Sequence, residues 1–324
     1  MASTIYVQQT NNRMRFAERI TNMFHNEMKD QKKIFVKPNI VSSEWYPTTT
    51  HPDVLRYVLK NLPKEADIII ADGPAIDAGS SEKIIKNHYL QKVCNQFGFE
   101  LQNLYDFGFK KIRVGSGFYL HVSKLALESD YMISLPVMKT HCIDSIGITG
   151  ALKNNFGLLS ARDRYLLHAE GALTLKVIRK ILGKKSEKPI RLLKKLLRIK
   201  HDINIAIAEL NVIRKPELFI IDMVDTLINA NEVRHGGIQK HVGLMFAGKD
   251  PVALDSFGLE QLVKIDFRLK GKKPEDIPQI YYAKKMGVGD INYRVKTLQQ
   301  IRGSNIIGLG LNYIEFRRKK SPAG

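Results

Sequence analysis

The feature that most constrains this chain is a set of short, almost wholly apolar runs, each ending in polar residues. Ile34–Val36 leads into Lys37-Pro38-Asn39, and Asp67–Ala71 stops at Asp72-Gly73-Pro74. Tyr131–Leu135 precedes a loop holding Lys139 and His141, Leu218–Ile221 runs into Asp222, and Leu244–Ala247 precedes Asp250-Pro251. A strand apolar on both sides must be covered on both sides, which favours an α/β sheet over a sandwich with one wet face. Val54, Leu55, Val58, Leu59 and Leu62 keep helical period between two such runs, and Ser80–Phe97 reads as a further helix. The expected class is α/β: a mainly parallel or mixed sheet covered by helices on both faces, with a basic helical insertion. Ligands of open α/β sheets bind beyond the carboxyl ends of the strands, where these polar clusters fall.

A length of 324 residues permits one large α/β unit or two modest domains. The two cysteines, Cys94 and Cys142, are too few for a disulfide framework, a four-cysteine zinc site or a four-cysteine iron–sulfur cluster. The chain has no 18-residue apolar run, and its first residues, MASTIYVQQTNNRMRF, lack the apolar core of a signal peptide, so the cytoplasm is the expected compartment.

The formal net charge of +19 is concentrated rather than spread. Residues 176–200 hold eleven Lys/Arg against one acid, Glu187, with leucines interleaved at close to helical spacing. Two basic amphipathic helices are expected, the first near Ala172–Leu182 and broken from the second over Gly183–Pro189. Lys184, Lys185, Lys188, Arg191, Lys194, Lys195 and Arg198 would then face RNA or an anionic membrane surface. The competing reading is a solvated helical pair whose leucines pack on the body, since the segment has no aromatic ring for base stacking. The expected organisation is a segment 1–32 packed on the core, an α/β domain over 33–300 interrupted at 172–200, and a strand with a basic tail over 301–324.

Several motifs carry chemistry. Thr50 fits a helix N-cap with Pro52 and Asp53 in the first turn, which leaves His51 unexplained by capping alone. Lys139 and His141 place a cation and an imidazole two residues apart after a strand. Gly147 to Gly157 is bracketed by glycines and contains Thr149, Gly150, Lys153 and Asn154, a turn whose N–H groups and lysine could cradle a carboxylate or phosphate. It is not a Walker A loop, and no G-x-G-x-x-G follows any strand. Asp250 reads as a helix cap, with Asp255 on the same helix. His51, His141 and His168, with Asp72 and Asp222, are of the right types for a divalent metal, and their spacing leaves that question open.

In order, the chain contains Lys37-x-Asn39, Thr49-Thr50-His51-Pro52, Asp72-Gly73-Pro74 and Leu135-Pro136-x-x-Lys139-Thr140-His141. These are followed by Thr149-Gly150-Ala151-x-Lys153-Asn154-x-Phe156-Gly157, His168, Asp222 and Asp250-Pro251-Val252-Ala253-x-Asp255. This string resembles the DUF362 family from about residue 33 to about 292. Single motifs are weak; six in this order are specific. The resemblance implies that Lys37, Asn39, Thr50, His51, Lys139, His141, Lys153, Asn154, His168, Asp222, Asp250 and Asp255 occupy the family's polar positions. It implies no reaction, because the family's general function has not been established. Two departures matter. Where many relatives have a Gly-Asn-Gly-Pro-like turn, this chain has Asn229 to Gly237, and loops at strand ends carry specificity. It also lacks the cysteines of the ferredoxin-like module fused to many members, so no iron–sulfur cluster is expected in it. A looser likeness, of architecture alone, is to the lactate racemase family.

Two functions from different classes follow. The first is an enzyme acting on a small anionic substrate, with Lys37, Lys139 and Lys153 neutralising a carboxylate or phosphate. Asn39, Thr50, Thr149, Gly150, Asn154, His168, Asp222 and Asp255 would complete its binding site. His51 and His141 are the candidates for proton transfer, with Lys139 and Asp72 completing the catalytic set. The second is an RNA-binding or ribonucleoprotein-associated factor using 176–200. An enzyme acting on a tRNA-borne group would combine the two.

Overall fold

The computed structural model describes residues 2–168 and 202–299. The basic segment 176–200, the helices expected across it, and the strand and tail expected over 301–324 lie outside the described residues.

Eight strands form one mixed sheet. They are β1 (Ser3–Gln9), β2 (Lys33–Pro38), β3 (Asp67–Asp72), β4 (Leu101–Asn103), β7 (Tyr131–Leu135), β10 (Leu218–Ile228), β11 (Ile238–Gly248) and β12 (Tyr293–Thr297). Their order is β12-β1-β11-β10-β7-β2-β3-β4. The five strands from β10 to β4 are mutually parallel, while β11 runs antiparallel to both β10 and β1. Segment 1–32 therefore does more than pack on the core, since its β1 is a member of the sheet. The remaining strands form two ribbons, β5 (Phe109–Arg113) with β6 (Tyr119–Ser123) and β8 (Lys139–Thr140) with β9 (Ile148–Thr149).

Strand alternation divides the apolar residues between two cores, one on each face. Ile34, Val36, Ile70 and Ile133 pack towards the helices Arg13–Met23 and Pro52–Lys60. Phe35, Ala71, Met132 and Phe219 pack on the other side, towards Ile203–Ile213 and Pro251–Leu262. Each fully buried side chain of this kind contributes about 1.5–3 kcal/mol, which is why the strands read as unbroken apolar runs.

Among the parallel strands, β2 is first in the chain; β3 and β4 follow on one side, β7 and β10 on the other. The winding reverses between β2 and β7. Their carboxyl ends diverge there into opposite layers and leave a crevice, the place where such sheets bind ligands. Pro38 lies opposite Leu135 at this point.

Two sequence expectations need correction. Ser80–Phe97 is not one helix but two, Ser81–Asn87 and Leu90–Asn95. At the break His88 is extended and its Nδ1 accepts the Leu90 N–H, while the Tyr89 hydroxyl donates to the Thr50 carbonyl at 2.6 Å. The N-cap of Pro52–Lys60 is His51, whose Nδ1 accepts the Asp53 N–H, rather than Thr50. Thr50 is drawn away by two tertiary bonds, its hydroxyl accepting from the Asn39 N–H and donating to the Leu135 carbonyl, both at 2.7 Å. Among the described residues no helix is long and apolar enough to cross a membrane.

Candidate active site

The end of β2 places Lys37 in the crevice, 1% exposed, and the end of β3 places Asp72 opposite it. Lys37 Nζ donates to Asp72 Oδ1 at 2.6 Å, and Asp72 also accepts the N–H groups of Ile40 and Gly73 at 2.6 and 2.8 Å. Burial pulls the Lys37 amine below the usual lysine range, and the Asp72 carboxylate opposes that shift. Gly157 leaves room for this pair: a Cβ there would lie 2.9 Å from Lys37 Nζ. Asn154 closes the ring, its Nδ2 donating to Ser134 Oγ at 2.8 Å and its Oδ1 standing 3.5 Å from Lys37 Nζ.

Above this pair is a cavity of about 60 Å³ lined by Lys37, Asn39, Asp72, His141, Thr149, Lys153 and Asn154. Seven residues predicted from scattered motifs thus share one space. Ile40, Val41, Gly73, Phe156, Gly157, Arg164 and Asn231 complete it. A wider depression of about 620 Å³ lies at the β4 edge, lined by residues such as Glu82, Gln91 and Glu100. It contains none of these motif residues.

The cavity is cationic. Asp72 is its only lining carboxylate among the described residues, and Lys37 already neutralises it. Arg164 bonds carbonyls and a phenol, through the Gly73 and Pro74 oxygens and the Tyr105 hydroxyl, and leaves its buried Nε without a partner. Lys153 Nζ lies 3.9 Å from the centroid of the Phe156 ring and has no hydrogen-bond acceptor among the described residues. Burial, followed by the nearby Arg164 guanidinium, lowers its pKa to about 7. Thr149 Oγ1 and Asn231 Oδ1 are also buried without partners. Unpaired buried polar atoms are rare in folded proteins, and three of them, on Arg164, Thr149 and Asn231, belong to residues lining this cavity.

His141 is 5% exposed, and its Nδ1 accepts the Ile143 N–H at 3.0 Å. That bond leaves the proton of the neutral ring on Nε2. Burial, then Lys153 and His168, hold its pKa well below the usual imidazole range. The ring is therefore neutral, with an Nε2–H left to donate. His168 stands edge-on to Phe156 at 5.2 Å, so one aromatic ring organises both Lys153 and His168.

The glycine-bracketed turn is a different matter. The N–H groups of Ala151 and Leu152, read from the sequence as a cradle for an external anion, are taken by the Asp255 carboxylate at 2.6 and 3.1 Å. Gly150 permits this approach, since a Cβ there would overlap that carboxylate. The chain supplies its own anion, which fixes the Ala151–Asn154 turn and leaves Lys153 to face the cavity. Burial pushes the Asp255 pKa up to about 7 despite the two donors.

Seven predicted residues do not line the cavity: Thr50, His51, Lys139, Gly150, His168, Asp222 and Asp255. Lys139 is fully buried and donates to the Thr48 carbonyl at 2.5 Å; burial lowers its pKa to about 8 against the pull of Glu232 and Glu44. Asp222 accepts from Arg13 Nε at 2.7 Å, the Tyr46 hydroxyl at 2.9 Å and the Val224 N–H. His51 packs edge-on against Tyr46 at 5.0 Å, and burial and Arg13 lower its pKa to about 4. Asp222 and His51 belong to a second cluster beside the site, in which Arg13 also pairs with Asp225. Thr50 and Asn39 act at the boundary: Asn39 Nδ2 donates to the Thr48 carbonyl, so both hold the β2–β7 gap in shape. Among the described residues no group of three or more His, Cys, Asp or Glu is placed to hold a metal ion, so the five candidate ligands do not converge.

Sequence reasoning missed Arg164, Asn231, Arg13 and Tyr46. Arg164 and His168 are four apart on the helix Ala161–His168, a spacing that puts both on one face, and that signal was present. In a chain with 51 Lys+Arg, one more arginine is inconspicuous. Asn231 sits in the divergent Asn229–Gly237 loop, which the structure folds over the cavity through Arg234 and Asp77, 3.0 Å apart.

A model of the domain of unknown function DUF362 matches residues 34–260. None of the curated proteins matches the chain. Among solved structures, the lactate racemase apoprotein from Thermoanaerobacterium thermosaccharolyticum is similar, at 13% identity and a TM-score of 0.43. The similarity covers 76% of this chain and 54% of that one, so the chain spans about half the length of that protein. A likeness of that degree assigns no role to any residue.

Proposed function

From the premise that the chain belongs to the DUF362 family, whose match covers residues 34–260, we propose that it is an enzyme for a small carboxylate- or phosphate-bearing substrate held in the switch-point cavity. One observation carries this reading: Lys153 and Arg164 face a cavity whose only lining carboxylate among the described residues is already paired with Lys37. A site with surplus positive charge, shielded from water, favours an anion much more strongly than the same charges do on a surface. The volume of about 60 Å³ suits a single small group; water occupies about 30 Å³.

The chemistry in reach is proton transfer. An amine titrating near 7 exchanges a proton at neutral pH with little driving force lost. The Nε2–H of His141 donates to negative charge that develops on a substrate oxygen, and Arg164 holds the anionic end. Thr149 and Asn231 offer directional contacts. Lys37 and Asp72 form the floor.

The test is a thermal-shift and calorimetric titration with inorganic phosphate and with short mono- and dicarboxylates. At least one should stabilise the wild type, and Arg164→Gln and Lys153→Gln should each weaken that binding about tenfold or more, the loss of one charge-assisted hydrogen bond. Equal stabilisation of wild type and both variants would place the anion elsewhere and end the proposal.

A further inference from the structure

Of the three lysines predicted for this site, two are occupied. Lys37 is bonded to Asp72 at 2.6 Å, and Lys139 donates to the Thr48 carbonyl and does not line the cavity. Lys153 differs in three ways. Its Nζ has no acceptor among the described residues, it faces the cavity directly, and it rests on the apolar face of Phe156. The face of that ring favours the ammonium form, whereas burial and the Arg164 guanidinium favour the free amine more strongly. If the site needed only positive charge, a lysine paired or solvated in the ordinary way would serve. A lysine bonded to no carboxylate among the described residues and partly desolvated is the arrangement that makes an amine nucleophilic.

Its surroundings define what it would attack. Arg164 lies against the same ring, with its guanidinium carbon 5.8 Å from the Phe156 centroid, and no carboxylate is bonded to it among the described residues. A planar guanidinium is the natural partner of a carboxylate. His141 presents an Nε2–H to the same space. An amine, a carboxylate binder and a neutral donor thus converge on a cavity of about 60 Å³.

We propose that Lys153 forms an imine with a short 2-oxo acid, the carboxylate held by Arg164 and the carbonyl oxygen facing His141. This rests on the anion-site reading and narrows it to a substrate class. The amine lone pair adds to the 2-carbon, and the carbonyl π pair moves onto oxygen. The two amine hydrogens leave with that oxygen as one water, and a C=N bond remains. The protons lost by the attacking nitrogen reach that oxygen through solvent, and the His141 Nε2–H stabilises the oxygen by a hydrogen bond as negative charge develops on it. No oxidant or reductant is consumed. The pKa of about 7 agrees with this: near pH 7 about half of such an amine is free, against about one in 2,500 for an ordinary lysine.

The full-length protein is incubated near neutral pH with pyruvate and cyanoborohydride, which delivers hydride to any imine carbon, then digested and mapped by mass spectrometry. The expected result is a reduced pyruvate unit on the Lys153 peptide, at least tenfold above any other lysine, and at least tenfold weaker labelling with acetone, the neutral ketone of similar size. Lys153→Arg should lose the adduct. Labelling spread evenly over the lysines, or an adduct that survives Lys153→Arg, overturns the proposal. Pyruvate stabilisation without an adduct in the wild type overturns the imine and leaves anion binding standing. With pyruvate, phosphate and the carboxylate panel all failing to stabilise the protein, both readings fall. The wild-type peptide map decides the matter even where a variant fails to fold.

Discussion

Methionine at position 153 would keep the unbranched stem of the lysine and its packing on Phe156 while removing the amine, which makes the cost of holding that amine measurable. Burial lowers its pKa from 10.5 to about 7. Below pH 7 the folded protein must keep a charge it solvates poorly, and the unfolded chain holds the same proton with ease. Wild-type stability from this group is therefore lowest in acid and rises between the folded and unfolded pKa values as the unfolded state surrenders its tighter-bound proton. Between about pH 6.5 and 9 the linkage amounts to about 2.5 kcal/mol at 1.36 kcal/mol per pKa unit, and water at the cavity mouth reduces it to about 1–2. Lys153→Met is thus expected to be more stable than wild type near pH 6.5, with its advantage shrinking by about 1–2 kcal/mol at pH 9. Urea unfolding of both proteins at the two pH values reads the difference directly. A methionine variant less stable than wild type at both pH values, or a difference that does not move with pH, would refute the claim that Lys153 is held at a cost to stability for the sake of its chemistry.

Other perturbations test the frame around that amine. Gly150→Ala should destabilise by about 2–4 kcal/mol, because the new Cβ overlaps the Asp255 carboxylate and lies 2.6 Å from Met138 Cε; a loss below about 0.5 kcal/mol in chemical denaturation would deny the close approach. Asp72→Asn leaves Lys37 buried beside a neutral group and should cost about 3–5 kcal/mol; Lys37→Met with Asp72→Asn should recover much of that, as a double-mutant cycle would show. For the basic segment, deletion of 176–200 followed by titration with tRNA across a salt series separates its two readings. Weaker binding with a shallower salt dependence assigns it a polyanion, and unchanged binding makes it a solvated surface.

Much of the fold was legible because burial on both faces of a parallel sheet writes itself into consecutive residues. Ile34–Val36 and Tyr131–Leu135 could be read as strands without any knowledge of their neighbours. Local rules failed wherever a distant partner outbid them. Thr50 satisfies every capping preference, yet its hydroxyl bridges Asn39 and Leu135, so His51 caps instead. The Gly150 turn has the spacing of an anion cradle, yet Asp255, more than a hundred residues away, fills it. Ser80–Phe97 keeps helical period, yet the tie from Tyr89 to Thr50 accompanies its break at His88.

The sequence by itself determined the α/β class, the strand-end polar clusters and seven of the residues that line the cavity, because composition and period are local properties of the chain. It could not separate Lys153 from Lys37 and Lys139, three lysines of equal standing in the motif string. Only the tertiary structure decided that Asp72 neutralises the first of these neighbours, that a backbone carbonyl takes the other, and that Lys153 has no hydrogen-bond acceptor among the described residues and lies beside Arg164. The physical reason is that charge state and reactivity depend on what surrounds an atom within a few ångströms, and residues from β2, β3, the Gly150 turn and the Arg164 helix meet there only when the sheet has folded.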